Sequence, residues 1–459
     1  MNKEKDYAAL QQYVSLYEQT SEVLCRHSAP LMNALRDEAL SALKTNGLPT
    51  RKAEAYKYTD IPQLLSPDYG LNIQRLDMLT DPHKVYQCEV PGLKSQLHYV
   101  VNDKLMEKSG EYKRHEERTE GDDGIRVLSL RDEALRNPQL LEHYYGKLAK
   151  VQDDSLTALN TLLAQDGLLI IVPKGIETAK PVQVINLLCG KVPMMVCRRV
   201  LIIVEEGAKA NLIFCDHNAT DSPFLTSQVV ECFVERNASL DLYCMEETHA
   251  ANNRIANLYI SQAEGSHVSH HAITLTGGTT RDTTMVQLQG EGASCILNGC
   301  IIADRKQHID NNTLISHLAP HCQSEELYKY VLDEQATGAF AGRILVAPEA
   351  QHTDAHMTNQ NLLTTREAHM FSQPELVIHA DDVKCAHGST TGQLNDAALF
   401  YMRQRGIPLK EARLLLEQAF INEVVEHVAL LPLRERLRFL VEKRFRGELD
   451  TCKSCRRCR

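Results

Sequence analysis

The sequence predicts a mainly β chain built around a parallel β-helix, with helical regions at both ends. Three observations carry this reading. Short β-prone runs follow one another from residue 167 onward with no long helical period among them. A turn-then-strand unit recurs beneath those runs at a nearly constant interval. Helical periodicity is confined to the stretches before and after.

From Tyr7 to Lys44 the pattern is helical. Tyr13, Leu16 and Tyr17 share one face, Leu31, Leu35, Ala39 and Ala42 share another, and Gly47 and Pro49 supply the stop. Residues 62–146 are mixed, and the charged stretch 107–123 reads as an exposed loop. A short helix is expected over 155–165, capped by Asp154 or Ser155. Strands are expected at 168–172, 182–188, 200–204, 210–215, 229–234 and 239–244.

The repeat is read from its turns. Glu206-Gly207-Ala208, Arg236-Asn237-Ala238, Glu264-Gly265-Ser266 and Glu291-Gly292-Ala293 each precede a strand, at successive spacings of 30, 28 and 27 residues. Ala319-Pro320-His321 and Ala347-Pro348-Glu349 continue the series 28 residues apart. Stacked coils bury their inward side chains only against the coils above and below, so an irregular but persistent period is expected of them. A β-sandwich also has many short strands, but its turns recur at about 8–12 residues and need not echo one another.

Helical texture returns after Gly392. Asn395 is placed to cap a helix over 396–405, Gly406 closes it, and Pro408 suits the first turn of the next. There Leu414, Leu415, Gln418, Ile421, Val424, Val425 and Val428 follow a 3/4 spacing, with Leu414, Ile421 and Val425 expected to pack inward. A further helix is expected over 433–444. The chain thus divides into 1–166 (helical and mixed), 167–380 (β-helix), 381–447 (C-terminal helices) and 448–459 (a cysteine-rich tail).

Composition narrows the function classes. A formal charge of −10 removes any general attraction to nucleic acid, and the absence of Trp argues against an aromatic stacking groove. No secretory signal opens the chain, and its longest aliphatic runs are far short of the about 20 residues of a membrane helix. A soluble, cytoplasmic protein is expected. Its 14 cysteines, in a long unsignalled chain, read as free thiols of a reducing compartment.

The most informative segment is Ala380-Asp381-Asp382-Val383-Lys384-Cys385-Ala386-His387-Gly388-Ser389-Thr390-Thr391-Gly392-Gln393, continued by residues 398–407. It resembles the C-terminal signature of the SufB/SufD family, and its Val-Lys-Cys-x-His-Gly form resembles the SufD branch. Residues 342–347, 351–355 and 359–363 are similar to the last solenoid coils of that family. Gly47-Leu48-Pro49-Thr50-Arg51-Lys52-Ala53-Glu54 and Lys57-Tyr58-Thr59 resemble another stretch of it, so the likeness spans nearly the whole chain.

The resemblance implies a right-handed parallel β-helix and a non-catalytic scaffold for iron–sulfur cluster assembly. It implies pairing with a SufB-like paralogue along the solenoid, and docking of a SufC-like ABC ATPase on the C-terminal helices. A transient cluster, or iron, would sit at the subunit interface with a thiolate from the paralogue and a histidine that aligns with His387. Iron accepts both ligand types, and a mixed, partly open set releases a cluster more readily than four thiolates. Cys385 lies two residues before His387, so in an extended segment both share a face. ATPase dimerisation would pull on the C-terminal helices and shift the interface. A homodimer through the same surface is expected when the paralogue is absent.

The tail Cys452-x-x-Cys455-x-x-Cys458 departs from that family pattern. It offers three soft ligands, one short of a closed tetrahedral site, amid cations that favour thiolates. Other combinations are weaker. His270 points away from His267 and His271 on a strand, and His352 and His356 lack the Glu of a zinc-protease helix. Asp381 and Asp382 would face opposite ways. No phosphate-binding G-x-x-x-x-G-K-[ST] element is present, so nucleotide is expected on a partner and not on this chain. A SufB-like subunit carrying the cluster thiolate itself, and a β-helix enzyme acting on acidic polysaccharide, are the alternatives. The Cys385/His387 arrangement weighs against the first, and the lack of an export signal weighs against the second.

Overall fold

The computed structural model describes residues 2–77, 82, 90–106, 124–178 and 180–448. The expected loop at 107–123 and the cysteines Cys452, Cys455 and Cys458 lie outside them. Helices α1 (Asn2–Arg26), α2 (Pro30–Asn33), α3 (Arg36–Asn46) and α4 (Ile61–Leu65) come first, with a single turn at Glu54–Tyr56 between the last two. Strands β1 (Gln96–Val101), β2 (Lys104–Met106) and β3 (Arg126–Ser129) follow, then α5 (Leu130–Arg136), α6 (Pro138–Leu141) and α7 (Ser155–Leu163). Asp154 caps α7 by accepting the Thr157 N–H at 2.7 Å, as its sequence position promised.

The β region is a parallel solenoid of about 7 turns. Its strands are β4 (Leu168–Val172), β5 (Val182–Leu188), β6 (Met194–Val204), β7 (Lys209–Asn218), β8 (Phe224–Val234), β9 (Ser239–Glu247), β10 (Asn253–Gln262) and β11 (His267–Thr276). They continue as β12 (Thr279–Leu288), β13 (Ser294–Ala303), β14 (His308–His317), β15 (Gln323–Leu332), β16 (Thr337–Val346), β17 (Asp354–Leu363), β18 (His369–Ile378) and β19 (Lys384–Gly392). Even strands from β4 to β18 form one sheet and odd strands from β5 to β19 the other. β3 closes the first sheet antiparallel to β4, and β1 adds parallel to β5 with β2 outside it.

The repeat seen in the sequence is a ladder of left-handed corner residues. Gly207, Asn237, Gly265, Gly292, His321 and His352 all have φ between 55° and 69°, and each backbone N–H donates to a carbonyl of the next turn along. Gly and Asn meet this φ at little cost. The residue after each corner (Ala208, Ala238, Ser266, Ala293, Cys322 and Thr353) is buried, which explains the preference for small side chains there. One expectation is corrected here. The unit equivalent to Ala319-Pro320-His321 is Ala350-Gln351-His352, not Ala347-Pro348-Glu349, because an inserted stretch lengthens that connection.

The solenoid also overruns the expected 167–380 at both ends, through β1 and through β19. Lys384–Gly392 lacks the aliphatic residues that betray a strand. Among the described residues no further strand packs beyond it.

Helices α8 (Asp396–Gln404), α9 (Leu409–Glu426) and α10 (Leu431–Arg446) follow; α9 and α10 fold back on the outside of the odd sheet, and α8 packs against α9. Asn395 caps α8 through the Ala397 and Ala398 N–H groups at 2.9 and 3.2 Å. Pro408 is the N-cap of α9 and not part of its first turn. Leu414, Ile421, Val424, Val425 and Val428 are buried, whereas Leu415, expected on the same face, is 37% exposed. No helix among the described residues is long and apolar enough to cross a membrane.

Candidate functional site

The last coil carries Cys385 and His387, the two residues that the sequence singles out. Among the described residues, β18 and β19 each have a strand on one side and a free edge on the other. Register with β17 places Cys385 against Ala355 and His387 against Met357. Ala355 and Met357 are buried in the solenoid interior, so Cys385 and His387 share the inward face at its open end. His387 is exposed, while Cys385 is half-buried against the core. Burial and the neighbouring Asp354 push the Cys385 thiol up, which disfavours its thiolate. The coil is cross-linked beneath them. The Ser372 hydroxyl donates to Asn359 at 2.7 Å and meets the Ser389 hydroxyl at 2.7 Å.

Other imidazoles gather on the rim without joining the site. His352 sits in its corner 3.0 Å from Asp382 and stacks on His321 at 4.7 Å between centroids. His356 lies 2.9 Å from Asp354. Asp381 and Asp382 fall in the connection between β18 and β19, not on a strand. His270 and His271 are buried on opposite faces of β11, with His271 stacked on Tyr243. Among the described residues no three His, Cys, Asp or Glu side chains are grouped to hold a metal ion.

The interior holds a polar seam that sequence reasoning missed. Leu242, His270, Leu297, Glu326, Met357 and His387 occupy one inward column across six odd strands. Further in, Arg198 and Arg254 both pair with Asp216, and Arg254 also meets Asp282 at 3.2 Å. A cavity of about 40 Å³ lies beside them, lined by Gln228, Cys244, Glu246, Arg254 and His270 among others. The signal available in the sequence was parity. Ser324, Glu326, Tyr328 and Tyr330 alternate with outward residues, which puts a carboxyl inside.

Glu326 is 1% exposed, and among the described residues neither of its oxygens has a close hydrogen-bond partner, the Thr313 hydroxyl being its one weak polar neighbour. Burial pushes its carboxyl up to about 8, with Thr313 offsetting a little. Burial likewise raises Glu246 to about 7, and burial with Asp333 raises Glu417 to about 7. Burial lowers His270 and His317 to about 4. The raised carboxyls favour the fold at low pH, and that contribution is lost as pH climbs through about 7 to 8. The depressed imidazoles favour it above about 6.5, and that contribution is lost as pH falls toward about 4. Thermal stability is therefore expected to decline between roughly pH 6.5 and 8.5, and Glu326→Gln should flatten part of that decline. An unchanged slope in a melting series would show Glu326 to be hydrated or paired.

Known proteins resemble this chain along most of its length. A model of the SufBD core domain of the SUF iron–sulfur cluster assembly system matches residues 187–420, and one of the SufBD N-terminal region matches residues 7–184. The chain is 28% identical to the iron–sulfur cluster assembly protein SufD of Escherichia coli, over 89% of its own length and 92% of the relative's. It is 29% identical to an iron–sulfur cluster assembly SufBD family protein of Synechocystis, over 68% and 70% of the two chains. It is 25% identical to the chloroplastic protein ABCI7 of Arabidopsis thaliana, over 90% and 85%. With both family regions matched end to end on a solenoid flanked by helices, the chain belongs to the SufB/SufD family of iron–sulfur cluster assembly proteins.

Proposed function

We propose that this chain is a non-catalytic, cytoplasmic scaffold subunit. It joins a SufB-like paralogue at the open end of its solenoid and offers His387 to an iron–sulfur cluster nascent at that interface. The observation that carries the reading is the terminal coil itself. His387 stands exposed and inward-facing beside two unpaired strand edges, and such edges are templates for strand addition. In the absence of the paralogue a second copy would use the same edges. Cys385, half-buried with its thiol pushed up, suits a supporting position better than a thiolate ligand, which disfavours a SufB-like role.

ATP hydrolysis is assigned to a SufC-like ABC ATPase docked on α8 and α9. Only residues 393–395 separate β19 from α8, so a pull on the helices reaches the strand of His387 directly. On the solenoid side the helices are held by Lys329, which donates to the Phe420 carbonyl and pairs with Glu423. Arg444 adds bonds to the Leu275 carbonyl and Asp304.

The test is anaerobic cluster reconstitution on the complex purified with both partners, comparing wild type with His387→Ala. The variant complex should assemble normally yet hold less cluster by about tenfold or more, the scale of a lost metal-site partner. Unchanged yield would make His387 structural and pass the role to Cys452, Cys455 and Cys458.

A further inference from the structure

Segment 51–60 crosses the outer face of the even sheet along one column of side chains. Register puts Ile255, Arg281, Asp310, Ala339 and Phe371 in that column on successive even strands. In its middle, the buried Arg281 donates to Asp310 at 2.6 Å and to the Ala55 carbonyl at 2.7 Å. Its guanidinium lies 5.0 Å from the Tyr56 ring centroid. The Thr59 hydroxyl donates to the other oxygen of Asp310. Ala339 is fully buried, and as the smallest side chain of the column it leaves room for the segment to pass. At the far end Tyr58 stacks on Phe371 of β18, with centroids 4.6 Å apart and planes at 16°. Gln373 donates to Glu54 at 3.0 Å.

The segment is therefore anchored on a buried ion pair, and through Glu54 and Tyr58 it also reaches the edge strand β18, which has no strand on its outer side among the described residues. From there a short path leads to the site. Phe371 adjoins Ser372, whose hydroxyl meets Ser389 on β19, two residues from His387. We infer that residues 54–59 form a strap that holds the terminal coil in shape before a partner adds to it, with Tyr58 as a positioning residue for His387. This rests on the scaffold reading above. Phe371, at 42% exposed, owes its place to the stack more than to the core.

Hydrogen exchange on the isolated chain tests the strap. In Tyr58→Ala, amide protection across 369–378 and 384–392 should fall by about three- to tenfold, the scale of one aromatic pair, and the other coils should keep theirs. Tyr58→Phe should restore it, because the ring stacks without its hydroxyl. With histidine-selective labelling, the His387 imidazole resonance should move in the alanine variant and return in the phenylalanine one. Unchanged protection and resonance in Tyr58→Ala would overturn the inference. So would protection lost equally through the N-terminal helices, since Tyr58 would then serve the whole fold. Cluster yield is read separately. A moved resonance with unchanged yield would uphold the strap and count against His387 as a ligand.

Discussion

Replacing Glu231 with alanine is expected to destabilise the folded chain by about 3–5 kcal/mol, the cost of stripping one partner from a buried ion pair. Glu231 and Arg199 are 0% and 1% exposed and lie 2.8 Å apart on the outer face of the even sheet. The carboxylate also accepts the backbone N–H groups of Gly146, Leu148 and Ala149 at 2.9, 2.9 and 3.1 Å. One side chain thus satisfies four donors and ties the loop after α6 to the solenoid. Its loss would leave three amides and a guanidinium unpaired, with Arg199 retaining the Thr161 hydroxyl at 3.0 Å and the Tyr145 ring. A urea titration measures the shift. A change below about 1 kcal/mol, the ordinary worth of an exposed pair, would mean that water reaches the site. Arg199→Met combined with Glu231→Leu should recover part of the ion-pair loss, because the buried charge goes with its partner. The three amides would still lack an acceptor.

Phe400→Ser together with Tyr401→Ser should abolish most binding of the ABC ATPase proposed to dock on α8. These rings are 63% and 57% exposed on α8, and on α9, against which α8 packs, Leu409 and Leu415 are 41% and 37% exposed. Exposed aromatics beside aliphatics are the usual anchors of an interface, each worth at least about 2 kcal/mol, so Kd should rise roughly a hundredfold or more. The fold should be untouched, because neither ring is buried and Tyr401 contacts only its helix neighbour Arg405 among the bonds of its hydroxyl. Calorimetric titration with the ATPase subunit checks the affinity, and an unchanged Kd would move the docking face off α8.

The solenoid was legible because its corners repeat. A left-handed residue followed by a small buried one leaves a mark such as Gly207-Ala208 or Asn237-Ala238. The mark fades where His321 and His352 take the corner, and there the reading of the repeat slipped by three residues, onto 347–349 in place of 350–352. The helical ends were legible through Asp154 and Asn395, whose side chains serve as caps. β19 was illegible as a strand because its inward residues are Cys, His, Ser and Thr, facing an open end. His387 was singled out by its motif and not by any pattern of burial. Tyr58 and Phe371 could not be joined from sequence, since more than 300 residues separate them and the contact exists only once the coils have stacked. Glu326 and the polar seam demanded the parity of each strand, which only the full register supplies.

The corner ladder also governs where the chain can change length. Each left-handed residue stands two positions before its odd strand, from Gly207 before β7 to His352 before β17. The slack lies on the other side. Residues 263 and 264 precede Gly265, whereas 347–351 precede His352. Extra residues are thus admitted upstream of the corner without turning a single inward side chain outward. The two residues downstream have no such freedom, because a one-residue slip there would exchange the faces of the whole strand. Among the solenoid connections, 347–351 is where a short insertion, natural or engineered, finds a place already made.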